Sequence, residues 1–202
     1  MMMSRREILK AAAAGSAAMA LATPAFGQSF PTVEQVLFDR EIPVLGNPEG
    51  DVTVAEYFDY QCPFCKRGHE DLMDVVREDG NVRLVMKDWP IFGIPSVHAS
   101  SLVLASGDRY EKALGALMAT PARLRKEEVD AVLAEAGLDP SDLFAAFKED
   151  KDRIDGILAR NMDQANAFGF GGTPAFIIGS RIYHGAMDRQ ALQAAIATAR
   201  EN

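Results

Sequence analysis

The chain has 202 residues, of which 48% are hydrophobic and 25% charged, with a formal net charge of -8. That is enough chain for one domain with a full core, and the apolar content is too high for a disordered one. The acidic balance, with no basic patch in the sequence, argues against a nucleic-acid partner and speaks for solubility more than for any substrate.

Residues 1–27 read as an export signal. Ser4-Arg5-Arg6-Glu7-Ile8-Leu9-Lys10 resembles the twin-arginine pattern, and an alanine-rich apolar stretch from Ala11 to Ala22 follows it. The stretch is short for a membrane span and only weakly hydrophobic. Ala25-Phe26-Gly27 offers small residues at the two positions a signal peptidase reads, so cleavage is expected after Gly27. With no cysteine nearby, a lipid anchor is not indicated. The competing reading is a helical tail on a cytosolic protein. Export implies the periplasm, an oxidising compartment in which a cysteine pair is informative.

Residues 28–50 form a short N-terminal extension, with a helical pattern from Val33 to Phe38 and a turn-rich run from Ile42 to Pro48. Val52 to Tyr60 reads as a central strand, apolar in alternation and then continuously. Glu56 interrupts it, and a carboxylate inside a buried strand is unusual. The alternative is an edge-strand glutamate facing water.

The strand leads into Cys62-Pro63-Phe64-Cys65, which holds the only two cysteines of the chain. A disulfide closing so short a loop removes little unfolded-state entropy, so it is a poor structural staple. Two cysteines are also too few for a closed zinc site. Redox chemistry remains. A helix is predicted from Phe64 to Asp79, with Phe64, Leu72, Val75 and Val76 as its apolar face and Gly80-Asn81 as its stop. Cys62 then meets unpaired N–H groups and the positive end of the dipole, both of which favour a thiolate. Pro63 suits the first turn. His69 is either a metal ligand beside the thiols or, as is commoner, a solvated helix residue.

Val82 to Lys87 is a second strand, and Asp88 to Gly93 a loop whose apolar residues are read as core rather than as the rim of a groove. Helices are predicted near 96–107, 108–119, 126–136, 141–149 and 151–168, with no strand among them. His98 falls on the first and is read as structural. Phe168 to Thr173 is a glycine-rich turn that lacks the lysine and helix of a phosphate loop. Ala175 to Gly179 and Arg181 to His184 form a hairpin around Gly179-Ser180, and a helix capped near Asp188 closes the chain.

Glu56-Tyr57-Phe58-Asp59-Tyr60-Gln61-Cys62-Pro63-Phe64-Cys65, together with Gly172-Thr173-Pro174-Ala175-Phe176-Ile177-Ile178-Gly179, resembles the DsbA family of thiol–disulfide oxidoreductases. The likeness is to the bacterial DsbA-like and suppressor-of-copper-sensitivity group, and it runs from about Asp51 to the C-terminus. It implies an α/β, thioredoxin-like fold over residues 51–202, with a helical domain inserted at about 96–168. It implies that Pro174 is cis and faces the cysteines, and that Glu56 is a buried acid relaying protons to and from Cys65. A lysine pairs with that acid in some relatives, and Lys87 is the candidate here.

The reading that follows is a periplasmic oxidoreductase that donates a Cys62–Cys65 disulfide to folding exported proteins bearing thiols. Cys62 is the exposed nucleophile and Cys65 the resolving thiol. Pro63, Phe64 and Thr173 contact substrate, the last by strand addition. No cofactor or metal is expected. By resemblance, a membrane protein like DsbB would reoxidise the pair. The short N-terminal extension points to a monomer. Two rivals stand: a reductase or isomerase kept reduced by a membrane partner, toward which Thr173 leans, and a copper-binding thiol protein, since soft thiolates suit Cu(I).

Overall fold

A computed structural model describes residues 30–121 and 123–201. The export segment and the cleavage expected after Gly27 lie outside the described residues. In chain order the elements are α1 (Val33–Leu37), β1 (Val44–Gly46), β2 (Val52–Phe58), α2 (Pro63–Asp79), β3 (Val82–Asp88), α3 (Ile94–Leu104), a 3-10 turn (Gly107–Arg109), α4 (Tyr110–Met118), α5 (Lys126–Glu135), α6 (Pro140–Glu149), α7 (Lys151–Ala167), β4 (Ala175–Ile178), β5 (Arg181–His184) and α8 (Arg189–Arg200).

The strands form one mixed sheet in the order β1-β3-β2-β4-β5. β2 runs parallel to β3 and antiparallel to β4. Of the three inner strands, β2 and β4 read as near-continuous apolar runs because both of their faces are covered, and every residue of each is buried. The parallel β2–β3 pair requires a crossover, which α2 supplies. Helices α3 to α7 stand between β3 and β4 and form the inserted helical unit. Its core holds Leu102, Leu114, Leu117, Leu133, Leu143 and Ile157, all fully buried.

Three local signals work as read. Gly80 ends α2 in the left-handed region at φ 71. The Asp188 side chain caps α8 by accepting from Ala191 N–H at 2.8 Å. Gly179 turns the β4–β5 hairpin. Several boundaries differ, three of them for reasons the structure shows. The run from Ile42 to Pro48, read as turn, contains β1, whose Val44, Leu45 and Gly46 pair antiparallel with Val85, Leu84 and Arg83. Three residues are too few for a periodic signal, and their pairing is decided by distant β3. Gly46 belongs there because a Cβ would come within 2.6 Å of Val76 Cγ1 and Val82 O. β2 stops at Phe58, two residues early, because the Asp59 side chain turns the chain. Helix α6 begins at Pro140, capped by Asp139, whose Oδ1 accepts from Ser141 N–H at 2.8 Å.

Candidate active site

Cys62 is the N-cap of α2, with Pro63 in its first turn. Its sulfur accepts from Cys65 N–H at 3.5 Å and lies 3.2 Å from the Thr173 carbonyl oxygen, to which the thiol donates. Thr173-Pro174 is cis. The start of α2 and the entry to β4, separated by more than a hundred residues of chain, therefore meet at one sulfur. Both cysteines are free thiols.

Both are also buried, each at 1% exposure. This corrects the expectation of an exposed Cys62, and accessibility does not separate the two thiols. Electrostatics does. The Cys62 thiol is lowered from 9.0 to about 5, chiefly by a hydrogen bond from the Cys65 side chain. Burial opposes the shift, while the Thr173 hydroxyl and the N–H groups of Cys65 and Phe64 support it. The Cys65 thiol is pushed far up by burial, by its bond to Cys62 and by the nearby Glu56 charge. The Cys62 thiol therefore loses its proton far more readily than its neighbour.

Glu56 is 2% exposed, in the middle of the central strand, and its Oε2 has no hydrogen-bond partner. The edge-strand alternative is thereby removed. Burial first, then the Cys62 charge, raise its carboxyl from 4.5 to about 8. Lys87 does not serve it. Lys87 stands opposite Tyr57 in the register, whereas Glu56 stands opposite Met86, so the period of two sends the two side chains to opposite faces. The Lys87 ammonium lies 3.4 Å from the Gln35 carbonyl oxygen.

Phe64 does not join the apolar face of α2. It is 55% exposed, with the Arg67 guanidinium 4.5 Å above its ring. With Gly172, Thr173, Pro174, His184 and Ala186 it lines a groove of about 390 Å3. The loop after β3 divides likewise: Trp89 is core, while Ile91 and Phe92 are each 36% exposed. His69 is half-buried rather than solvated, and desolvation lowers its imidazole to about 4. His98 pairs with Asp130 at 2.6 Å. Among the described residues no group of three His, Cys, Asp or Glu side chains is placed to hold a metal.

Two acids went unread in the sequence. The buried Asp59 carboxylate accepts from Gln61, Ile91 and Phe92 N–H at 2.7, 2.7 and 3.0 Å and from the Ser96 hydroxyl at 2.7 Å. It ties the approach to Cys62 to the loop after β3. Its signal was a polar residue inside an aromatic run. Asp88, the last residue of β3, is 1% exposed.

Residues 39–198 match the thioredoxin family, and residues 2–22 match the twin-arginine translocation signal. A thioredoxin-like oxidoreductase from Silicibacter pomeroyi is 36% identical and superposes at a TM-score of 0.81, over 85% of this chain and 99% of that one. The thiol–disulfide exchange protein alpha-DsbA2 from Wolbachia pipientis is 26% identical, with a TM-score of 0.75, over 82% and 90% of the two chains. The catalytic domain of Proteus mirabilis ScsC, 22% identical, shares the fold at a TM-score of 0.72, over 84% of this chain and 94% of that domain. Among curated sequences, an Na(+)/H(+) antiporter NhaA 1 from Salinispora arenicola is 30% identical over 77% of this chain, which spans only 24% of that protein's length.

Proposed function

This chain belongs to the thioredoxin family, as an exported, periplasmic thiol–disulfide exchange protein of the DsbA-like kind, and on that premise we propose that it donates a Cys62–Cys65 disulfide to exported proteins bearing thiols. One observation carries the direction: Cys62 is held near a pKa of about 5 while its neighbour Cys65 is pushed up. A stabilised thiolate favours the reduced protein, and so makes its disulfide a better oxidant.

In the donating turn, a substrate thiolate attacks the Cys62 sulfur of the disulfide. The Cys62–Cys65 bond breaks, Cys65 leaves with the electron pair, and Glu56 gives it a proton. A second substrate thiolate then attacks the substrate sulfur of the mixed disulfide, and Cys62 departs as its stable thiolate. The reverse turn uses the same groups. Cys65 surrenders its proton to Glu56 and attacks the mixed disulfide. The Phe64–Pro174 groove would receive the peptide, with the Thr173 backbone as its strand partner. A membrane partner like DsbB would reoxidise the pair, and the protein would act as a monomer.

The test is the reduction potential of the pair against glutathione. A value near roughly -120 mV supports the donor, and one near roughly -270 mV overturns it in favour of a reductase or isomerase.

A further inference from the structure

Five buried oxygen atoms on four side chains lie on the sheet face that carries Glu56 with no hydrogen bond of ordinary geometry: Glu56 Oε2, both carboxylate oxygens of Asp88, and the hydroxyls of Tyr60 and Tyr110, of which the two hydroxyls still interact with the Asp88 carboxylate. The four residues are at most 3% exposed. Buried polar groups are normally paired, so such a group of orphans in one place calls for a reason. The register explains the location. Glu56 pairs with Met86 and Phe58 with Asp88 in parallel strands, so Glu56 and Asp88 project from the same face of the sheet, one step apart. Tyr110, at the start of α4, interacts with the Asp88 carboxylate directly and lies in the field of the Glu56 charge. The Tyr60 and Ser100 hydroxyls and the Asp59 carboxylate also face Asp88, from the loop before α2, from α3 and from the end of β2, while Lys66 of α2 faces Asp59. Cys62 and Cys65 face Glu56 from α2.

We propose that Asp88 is a second acid on the proton path serving Cys65, joined to Glu56 through the Tyr110 hydroxyl. The proposal rests on the reading of Glu56 given above. When Cys65 resolves a mixed disulfide, its S–H proton goes to the Glu56 carboxylate. Its electron pair forms the bond to Cys62, and the substrate sulfur leaves with the pair of the broken bond. Glu56 is then protonated. Tyr110 accepts that proton on its oxygen and passes its own hydrogen to the Asp88 carboxylate. Glu56 is ionised again, and no charge or atom is lost. Asp88 suits the task because burial, opposed by the Ser100 hydroxyl, raises it to about 7, close to the value of Glu56. Transfer between nearly matched acids is almost level. Loose contacts in a resting site are the usual state of groups that move a proton.

Reduced protein mixed with dithiobis(nitrobenzoate) releases one thionitrobenzoate when Cys62 attacks and a second when Cys65 resolves, so stopped-flow absorbance reads the steps separately. Asp88→Asn should slow the second phase roughly tenfold near neutral pH and move its pH midpoint. The first phase should not change, and the thermal midpoint should not fall, since Asp88→Asn removes a carboxyl that burial disfavours in its charged form. Tyr110→Phe should do the same, and it decides the matter where Asp88→Asn does not fold. A second phase that stays unchanged in these variants, while Glu56→Gln slows it, overturns the role of Asp88 and leaves that of Glu56 standing. A second phase unaffected by Glu56→Gln overturns both. Equal slowing of both phases marks structural damage and also overturns the proposal.

Discussion

Replacing Cys65 with alanine removes the largest single cause of the low Cys62 pKa, the hydrogen bond from the Cys65 side chain. The remaining donors, Thr173 and the N–H groups of Cys65 and Phe64, stay in place. A hydrogen bond to a charged group contributes about 1.5–3 kcal/mol, and one pKa unit corresponds to about 1.4 kcal/mol. Cys62 should therefore rise from about 5 in the native pair to between ~6 and ~7 in Cys65→Ala. The sign has a second consequence. A thiol whose folded value is depressed stabilises the reduced protein at high pH, and that gain is lost as pH falls through the folded value. At pH 7, two units above it, the gain is about 2.7 kcal/mol, or about 60 mV of added oxidising potential for a two-electron couple. The assay is the rate of iodoacetamide alkylation against pH, with thiolate absorbance as a second probe. A Cys62 midpoint that stays near 5 in Cys65→Ala would refute the argument and assign the shift to the helix terminus alone. A native midpoint near 9 would refute it more completely.

Glu56→Gln should stabilise the reduced protein at pH 7 by on the order of 3 kcal/mol in urea unfolding, because a carboxyl raised from 4.5 to about 8 destabilises the fold as pH rises between those values. The advantage should vanish below pH 4, and a variant less stable than the parent at pH 7 would contradict the assignment. Lys87→Met should likewise stabilise, again by on the order of 3 kcal/mol at neutral pH, since burial lowers the ammonium from 10.5 to about 8 and that penalty is relieved as pH climbs through this window. The same variant should leave the pH profile of Cys65 untouched, because Lys87 faces away from Glu56; a shifted profile would count against the register argument. Asp59→Ala strands the N–H groups of Gln61, Ile91 and Phe92 and should cost about 3–5 kcal/mol. Hydrogen exchange should rise first at residues 91 and 92, and uniform protection there would show the carboxylate to be dispensable.

How much was legible follows from range. The strand–cysteine–helix unit was written locally: apolar runs, a Cys-x-x-Cys pair, a proline in the first turn and a glycine stop act on neighbours a few residues away. The helical insertion and the closing helix were legible for the same reason, since periodicity, the Asp188 cap and the glycines carry their information within one turn. Even Glu56 announced itself, as a charge inside an apolar run. The face each side chain takes was not legible. Glu56 and Lys87 sit on different strands, and only the parallel register of β2 with β3 sends them to opposite sides of the sheet. Phe64 looked like core by spacing, yet at the first turn of α2 it is exposed while Leu72 and Val76 are buried. The clustering of Glu56, Asp88, Tyr60 and Tyr110 joins residues from two strands, a loop and an inserted helix. The difference between Cys62 and Cys65 likewise needs Thr173, more than a hundred residues away. The sequence by itself determined the elements other than β1, their order and the Cys62–Cys65 pair. Only the tertiary structure decided that Cys62 is the thiol with the lowered pKa and that Glu56 and Asp88 lie buried on one face of the sheet, because pKa values depend on burial and on partners brought together across the fold.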